Sequence, residues 1–211
     1  MENFILSIGQ SIVTLGLTWI VGQRIVVYWE ARKKQREIDL ATSGQFQQLY
    51  GETKQLNKLY RTYAKNPNGR EYPNDISWHF VQLASDVESK VEALIVKLAT
   101  ERYLAPVDVE ALGLFRQSIQ QVRSDIRDHK ERTFIGQEPG YTIFNELACD
   151  VAHIIANGKF CDELTKSDAR TNLRSIAQFG SKALEARATE HIKLSKAEWA
   201  EVVVAEGQAT A

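Results

Sequence analysis

Apolar residues crowd one end of the chain and recur at helical spacing through the rest. No charged residue occurs from Asn3 to Gln23, and of the nineteen residues from Phe4 to Gly22, eleven are Phe, Ile, Leu, Val or Trp and three are Gly. As a helix, that run extends about 28 Å, close to the ~30 Å hydrocarbon core of a bilayer. The pattern predicts a transmembrane helix over residues 1–23. A cleaved signal peptide would have a basic start, a shorter apolar core and a small-residue cleavage site, whereas this chain starts Met1, Glu2, Asn3 and has no such site after the run.

The polar residues of that segment are ordered as well. Asn3, Ser7, Gln10, Ser11, Thr14 and Thr18 recur every three or four residues and share one face. A helix lying flat on a membrane carries basic residues on its polar side, and this face has none. Small residues let helix backbones approach and hydroxyls bond across the contact, so Ser7, Ser11, Thr14, Thr18 and Gly22 are expected to form a packing face through which the chain self-associates.

Beyond the apolar run the helical pattern continues without a clear stop. Phe46, Leu49, Tyr50, Leu56, Leu59, Tyr60 and Tyr63 mark one apolar, aromatic face, which predicts a long juxtamembrane helix over residues 24–65, loosened near Gly44 and Gly51. Turn signals follow at Asn66-Pro67-Asn68-Gly69 and Tyr72-Pro73-Asn74-Asp75. A second helix is predicted on Ile76, Phe80, Leu83, Val87, Val91, Leu94 and Leu98. A third opens at Pro106 and carries Leu112, Phe115, Ile119, Val122 and Ile126. After a looser stretch at 133–140, a fourth carries Phe144, Leu147, Ala148, Val151, Ile154 and Ile155 and ends at Asn157-Gly158. Ser167 is a candidate cap for a fifth with Leu173, Ile176 and Leu184, and Ser195-Lys196-Ala197-Glu198 has the form of a capping box for a short last helix. The expected organisation is an anchor at 1–23, a basic and amphipathic helix at 24–65, a helical bundle at 66–190, and a short helix with a frayed tail at 191–211.

Composition agrees with an all-α fold: four prolines and twelve glycines in 211 residues leave few turns. Charge adds direction. The total of 26 Lys+Arg against 27 Asp+Glu gives a net −1, so no nucleic-acid partner is expected. The basic residues Arg24, Arg32, Lys33, Lys34 and Arg36 nevertheless cluster just after the apolar run, against the single Glu30. Basic flanks stay on the cytoplasmic side, which predicts a single-pass protein of a bacterial inner membrane, its N-terminus outside and its helical domain in the cytoplasm. These five cations are expected at the lipid headgroups, with Trp19, Tyr28 and Trp29 in the same zone. Removing them together with Glu2 and Glu30 leaves residues 37–211 with 21 basic and 25 acidic side chains, an acidic domain behind a basic anchor.

Motifs for chemistry are few. The phosphate-binding, dinucleotide-binding, hydrolase and zinc-peptidase signatures are absent, and no cofactor or metal is expected. Cys149 and Cys161 lack a paired spacing and read as free thiols. Asp150-x-x-His153 has the spacing of a di-iron ligand pair, but no other histidine follows a carboxylate at that distance. Glu146, Asp150, His153 and Asn157 moreover point away from Phe144, Leu147 and Val151, so a solvated face is predicted.

Arg123-x5-His129 resembles the Arg-x4–6-His signature of HEPN domains, small all-α bundles many of which are ribonucleases that act as dimers. The resemblance covers one motif, and Ser124 stands where that family often has Asn, Asp or His. It implies that Arg123 would polarise a scissile phosphate and His129 would act as general acid or base. The reading from charge pattern alone is a salt-linked helix surface of Arg123, Arg127 and His129 beside Asp125, Asp128 and Glu131. Trp78 lies off the apolar stripe of its helix and Tyr72 in the preceding loop, a candidate contact for a cytoplasmic protein partner.

Together these features predict a membrane-anchored, self-associating interaction or regulatory module. A membrane-perturbing effector triggered through its cytoplasmic domain is the second reading, and a HEPN-like ribonuclease the third.

Overall fold

The computed structural model describes residues 2–64, 74–160 and 166–209, and the side chains of residues 19, 21–63, 76–160 and 168–195. The protein is all-α. Helix α1 spans Glu2–Ala64, α2 Asn74–Glu101, α3 Pro106–Arg127, α4 Gly140–Asn157, α5 Lys166–Ala177 and α6 Ser181–Ala209. A 3-10 turn, Phe134–Gly136, precedes α4. Two compact units divide the chain, residues 1–42 and residues 43–211.

In the first unit every described residue is helical, and Trp19, Val21, Ile25, Val26, Val27, Tyr28 and Trp29 are exposed. The side chains of Ser7, Ser11, Thr14 and Thr18 lie outside the described residues, as does most of the apolar run they belong to. Among the described residues, no helix is long and apolar enough to cross a membrane.

The second unit is a helical bundle. The expected faces of α2, α3 and α4 are the ones that pack: Val91, Leu98, Leu112, Phe115, Ile119, Phe144, Val151 and Ile155 are all nearly inaccessible to solvent. From α1 the bundle takes Phe46, Leu49, Leu56 and Tyr60, spaced at three, seven and four residues. Leu59 and Tyr63 belong to the predicted stripe but remain exposed. Aromatic rings tie three helices together: Phe115 of α3 lies between Phe46 of α1 and Phe144 of α4, at centroid distances of 5.8 and 5.6 Å.

α2 and α3 run antiparallel, and their polar edges show the register. Glu92 pairs with Arg116 at 2.5 Å, Glu88 with Gln120 at 3.2 Å and Arg123 at 2.6 Å, and Ser77 meets His129 at 3.3 Å. One partner descends the chain as the other ascends. The short connection between the helices is fixed by Asp108, whose carboxylate accepts the Ala105 N–H at 2.9 Å while Pro106 opens α3.

Several expectations about boundaries change. α1 continues through Gly44 and Gly51, where an added Cβ would meet nothing within 4 Å; neither glycine loosens it. The predicted turns at 66–69 and 72–75 and the loop residue Tyr72 fall largely outside the described residues. α5 already begins at Lys166, so Ser167 lies in its first turn, and Leu184 belongs to α6 after a break near Gly180. Ser195 lies inside α6 rather than before a separate helix. A capping-box pattern marks a helix start only where the preceding backbone has left the helix, and sequence spacing does not contain that information.

Candidate interaction surfaces

The first unit presents one concentrated surface. Ile25 to Trp29 are five consecutive apolar or aromatic residues, each more than half exposed, and the exposed side chains of Arg32, Lys33, Lys34 and Arg36 follow within two turns. Tyr28 stacks under the Arg32 guanidinium, 4.9 Å from ring centroid to Cζ. Among the described residues, no carboxylate closes an ion pair with Arg32, Lys33 or Arg36. Arg24 and Gly22 are exposed on the same helix.

In the second unit, the paired residues of the HEPN-like motif are separated by their partners. The Arg123 guanidinium donates to Glu88, while His129 lies past the end of α3, exposed, in the left-handed backbone region at φ 54° beside Ser77. Ser77 and Glu88 lie on one helix eleven residues apart, about 16 Å along its axis. Arg123 and His129 are thus engaged at different levels of α2 and do not face a common point. The charge ladder expected there is present in part: Arg127 pairs with Asp128 at 3.0 Å and Lys130 with Asp125 at 2.8 Å. The Arg127 side chain beside Asp128 lowers the pKa of that carboxyl.

Asp125 is more than a surface charge, being buried at 3% exposure. One carboxylate oxygen accepts from Gln121 and Lys130, both at 2.8 Å, and the other accepts the Phe134 backbone N–H at 2.6 Å. Tyr60 donates to the Lys130 carbonyl at 2.6 Å, Thr133 donates to Asn57 at 2.6 Å, and Asn57 donates to the Ile135 carbonyl at 3.3 Å. This network fastens the segment between α3 and α4 to α1. Its polar groups satisfy one another, as buried polar groups must, and Lys130 has its pKa raised chiefly by its hydrogen bond to Asp125.

A second polar cluster joins α1 to α4. Lys54 donates to Asn145 Oδ1 at 2.8 Å, and the Tyr50 hydroxyl donates to the same oxygen at 2.9 Å. The Lys54 ammonium sits 4.0 Å from the Tyr141 ring centroid, 5.1 Å from Tyr50 and 6.0 Å from Phe144, an aromatic cage filled by the chain's own lysine. The Lys54 ammonium beside Tyr141 lowers the pKa of that phenol. Nothing in the local sequence announces the cage, because its members lie about ninety residues apart on two helices.

Elsewhere, Glu146, Cys149, Asp150 and His153 are exposed on α4, and His153 contacts Asn157 at 3.1 Å, the solvated face expected. Glu146 is approached by Arg187 at 3.9 Å and His191 at 3.6 Å from α6. No group of His, Cys, Asp or Glu among the described residues could hold a metal ion. Cys149 is a free thiol, and Cys161 lies outside the described residues. Trp78 is 62% exposed, open to a partner, while Tyr72 lies outside the described residues.

No protein-family model matches the chain, and no curated protein or solved structure is significantly similar to it.

Proposed function

We propose that this chain is a membrane-anchored helical module that works by binding. Residues 4–22 sit in lipid, Arg32 to Arg36 lie at the cytoplasmic headgroups with Arg24 snorkelling to the same zone, and the bundle of the second unit meets a protein partner, with Trp78 as one contact. Self-association runs through the small-residue face of Ser7, Ser11, Thr14, Thr18 and Gly22.

The observation that supports this reading is the exposed block Ile25–Trp29 next to an exposed run of cations. A continuous apolar patch uncovered by its own chain marks a surface that something else covers. Aromatics followed by Lys and Arg are the composition of a membrane interface, where each ring has an apolar body in the acyl region and cations meet phosphate.

Alkaline carbonate washing of membranes from cells making the full chain tests it. Retention in the pellet is the expected result, and release of the intact chain into the supernatant removes the anchor together with the proposed orientation.

A further inference from the structure

Resting on that reading, we infer that the basic flank is not a diffuse charge cloud but a one-sided site for the phosphate of anionic phospholipid, built by Arg32 and Arg36 in a hollow they share with Trp29. Val21, Ile25, Trp29, Arg32, Lys33 and Arg36 follow one another at intervals of one, three or four residues and occupy one flank of α1. Trp29, Glu30, Arg32, Lys33 and Arg36 line a hollow of about 330 Å³, three cations against one carboxylate. Arg24 and Lys34 project elsewhere, more than about 100° around the helix from the middle of that flank.

The cations within the hollow are not equivalent. Lys33 has Glu30 three residues before it and Glu37 four residues after it, so two carboxylates at helical spacing screen its charge. Arg32 has no carboxylate at three or four residues, Arg36 has one, Asp39, three residues after it, and the two arginines have each other at four residues, a like-charge arrangement that an anion between them relieves. Two guanidiniums one turn apart can share a phosphate through paired N–H donors, which a single ammonium cannot do.

Position selects the lipid as the source of that phosphate. Ile25 to Trp29 are apolar all round and uncovered, so the contact with acyl chains continues past Gly22 to Trp29. From Phe4 to Trp29 the helix measures about 39 Å against a ~30 Å hydrocarbon core, a mismatch that tilting relieves. Tilt lowers one flank toward the headgroups, and the flank that continues Trp29 is the one that carries Arg32 and Arg36. Phosphatidylcholine already neutralises its phosphate with choline; phosphatidylglycerol does not.

The test uses the full chain with Trp19→Phe, Trp78→Phe and Trp199→Phe, reconstituted into phosphatidylcholine vesicles that contain equal fractions of acyl-brominated phosphatidylglycerol or acyl-brominated phosphatidylcholine. Trp29 emission should be quenched more by the glycerol lipid. Arg32→Gln with Arg36→Gln should lower that preference by more than the roughly 30-fold that two diffusely attracted cations account for, at about 1 kcal/mol per cation and 1.4 kcal/mol per tenfold. Arg24→Gln with Lys34→Gln removes the same charge and should lower it several-fold less. Equal quenching by the two lipids, equal losses from the two pairs of substitutions, or erasure of the excess by inorganic phosphate at matched ionic strength would each overturn the inference. Carbonate release of the chain from pure phosphatidylcholine vesicles, with the Trp29 excess intact, would count against the seated segment alone.

Discussion

Helix α1 contributes to both units of the chain, and its two stretches put similar residues to different uses. Between 43 and 63 its apolar residues are interrupted by polar ones at helical period, and Phe46, Leu49, Leu56 and Tyr60 are buried in the bundle. Between 25 and 29 they are contiguous, and each is more than half exposed. A periodic stripe has one partner, on one side; an unbroken block has either a partner all round or none within the chain. The contrast separates residues whose burial stabilises the fold from residues whose burial depends on something outside it.

The sharpest way to break that contrast is to truncate one aromatic from each stretch. Phe144 is fully buried in the bundle, stacked between Tyr50 at 5.7 Å and Phe115 at 5.6 Å. Phe144→Ala should cost about 3–5 kcal/mol in a urea unfolding series of the second unit. Trp29→Ala, removing a larger ring that is 66% exposed, should cost the same transition less than about 0.5 kcal/mol. Comparable losses from the two substitutions would mean that Trp29 packs within the protein.

Asp125 is the next largest effect. Asp125→Asn keeps the shape but removes the charge that accepts from Lys130, Gln121 and the Phe134 N–H, and should cost about 2 kcal/mol, the scale of hydrogen bonds to charged groups. The pKa of Lys130 is raised by Asp125, so this pair contributes stability below the ordinary lysine pKa and loses it as pH rises through the raised value. The alkaline arm of a stability profile should therefore flatten in Asp125→Asn. Unchanged curvature would show that the pair carries no stability.

These two sites also divide what sequence can and cannot reveal. Phe144 was legible because helical period fixes which face of α4 is apolar, and the same period placed Leu112, Phe115 and Val151 in the core. Asp125 was legible only as one charge in a surface ladder: its burial comes from the segment that follows α3 turning back toward α1, through Asn57, Tyr60 and Thr133, a contact across seventy or more residues. The HEPN-like spacing shows the same limit from the other side. Arg123 and His129 are near in sequence, yet a left-handed residue at the end of α3 and two partners far apart on α2 draw them to different places. Spacing along a helix implies proximity only while the helix continues.

The smallest expected effect concerns Lys54, which shows how the buried stretch of α1 is held to α4. Lys54→Met retains the length and apolar contact of the side chain while removing its bond to Asn145 and its charge over the Tyr141 ring. About 1 kcal/mol should be lost, as expected for a partly exposed cation–π contact with one hydrogen bond. The more discriminating readout is the phenol. Lys54 holds the Tyr141 pKa below the ordinary tyrosine range, so an absorbance titration of the parent chain should show one tyrosine ionising ahead of the others. In Lys54→Met that early step should move back toward the ordinary range. For an acid whose folded pKa is depressed, the linked stabilisation is present above the unfolded value and disappears as pH falls through the folded one. The parent should accordingly gain stability relative to the variant as pH rises through the depressed pKa, and a constant difference across that window would mean that Lys54 and Tyr141 are not electrostatically joined.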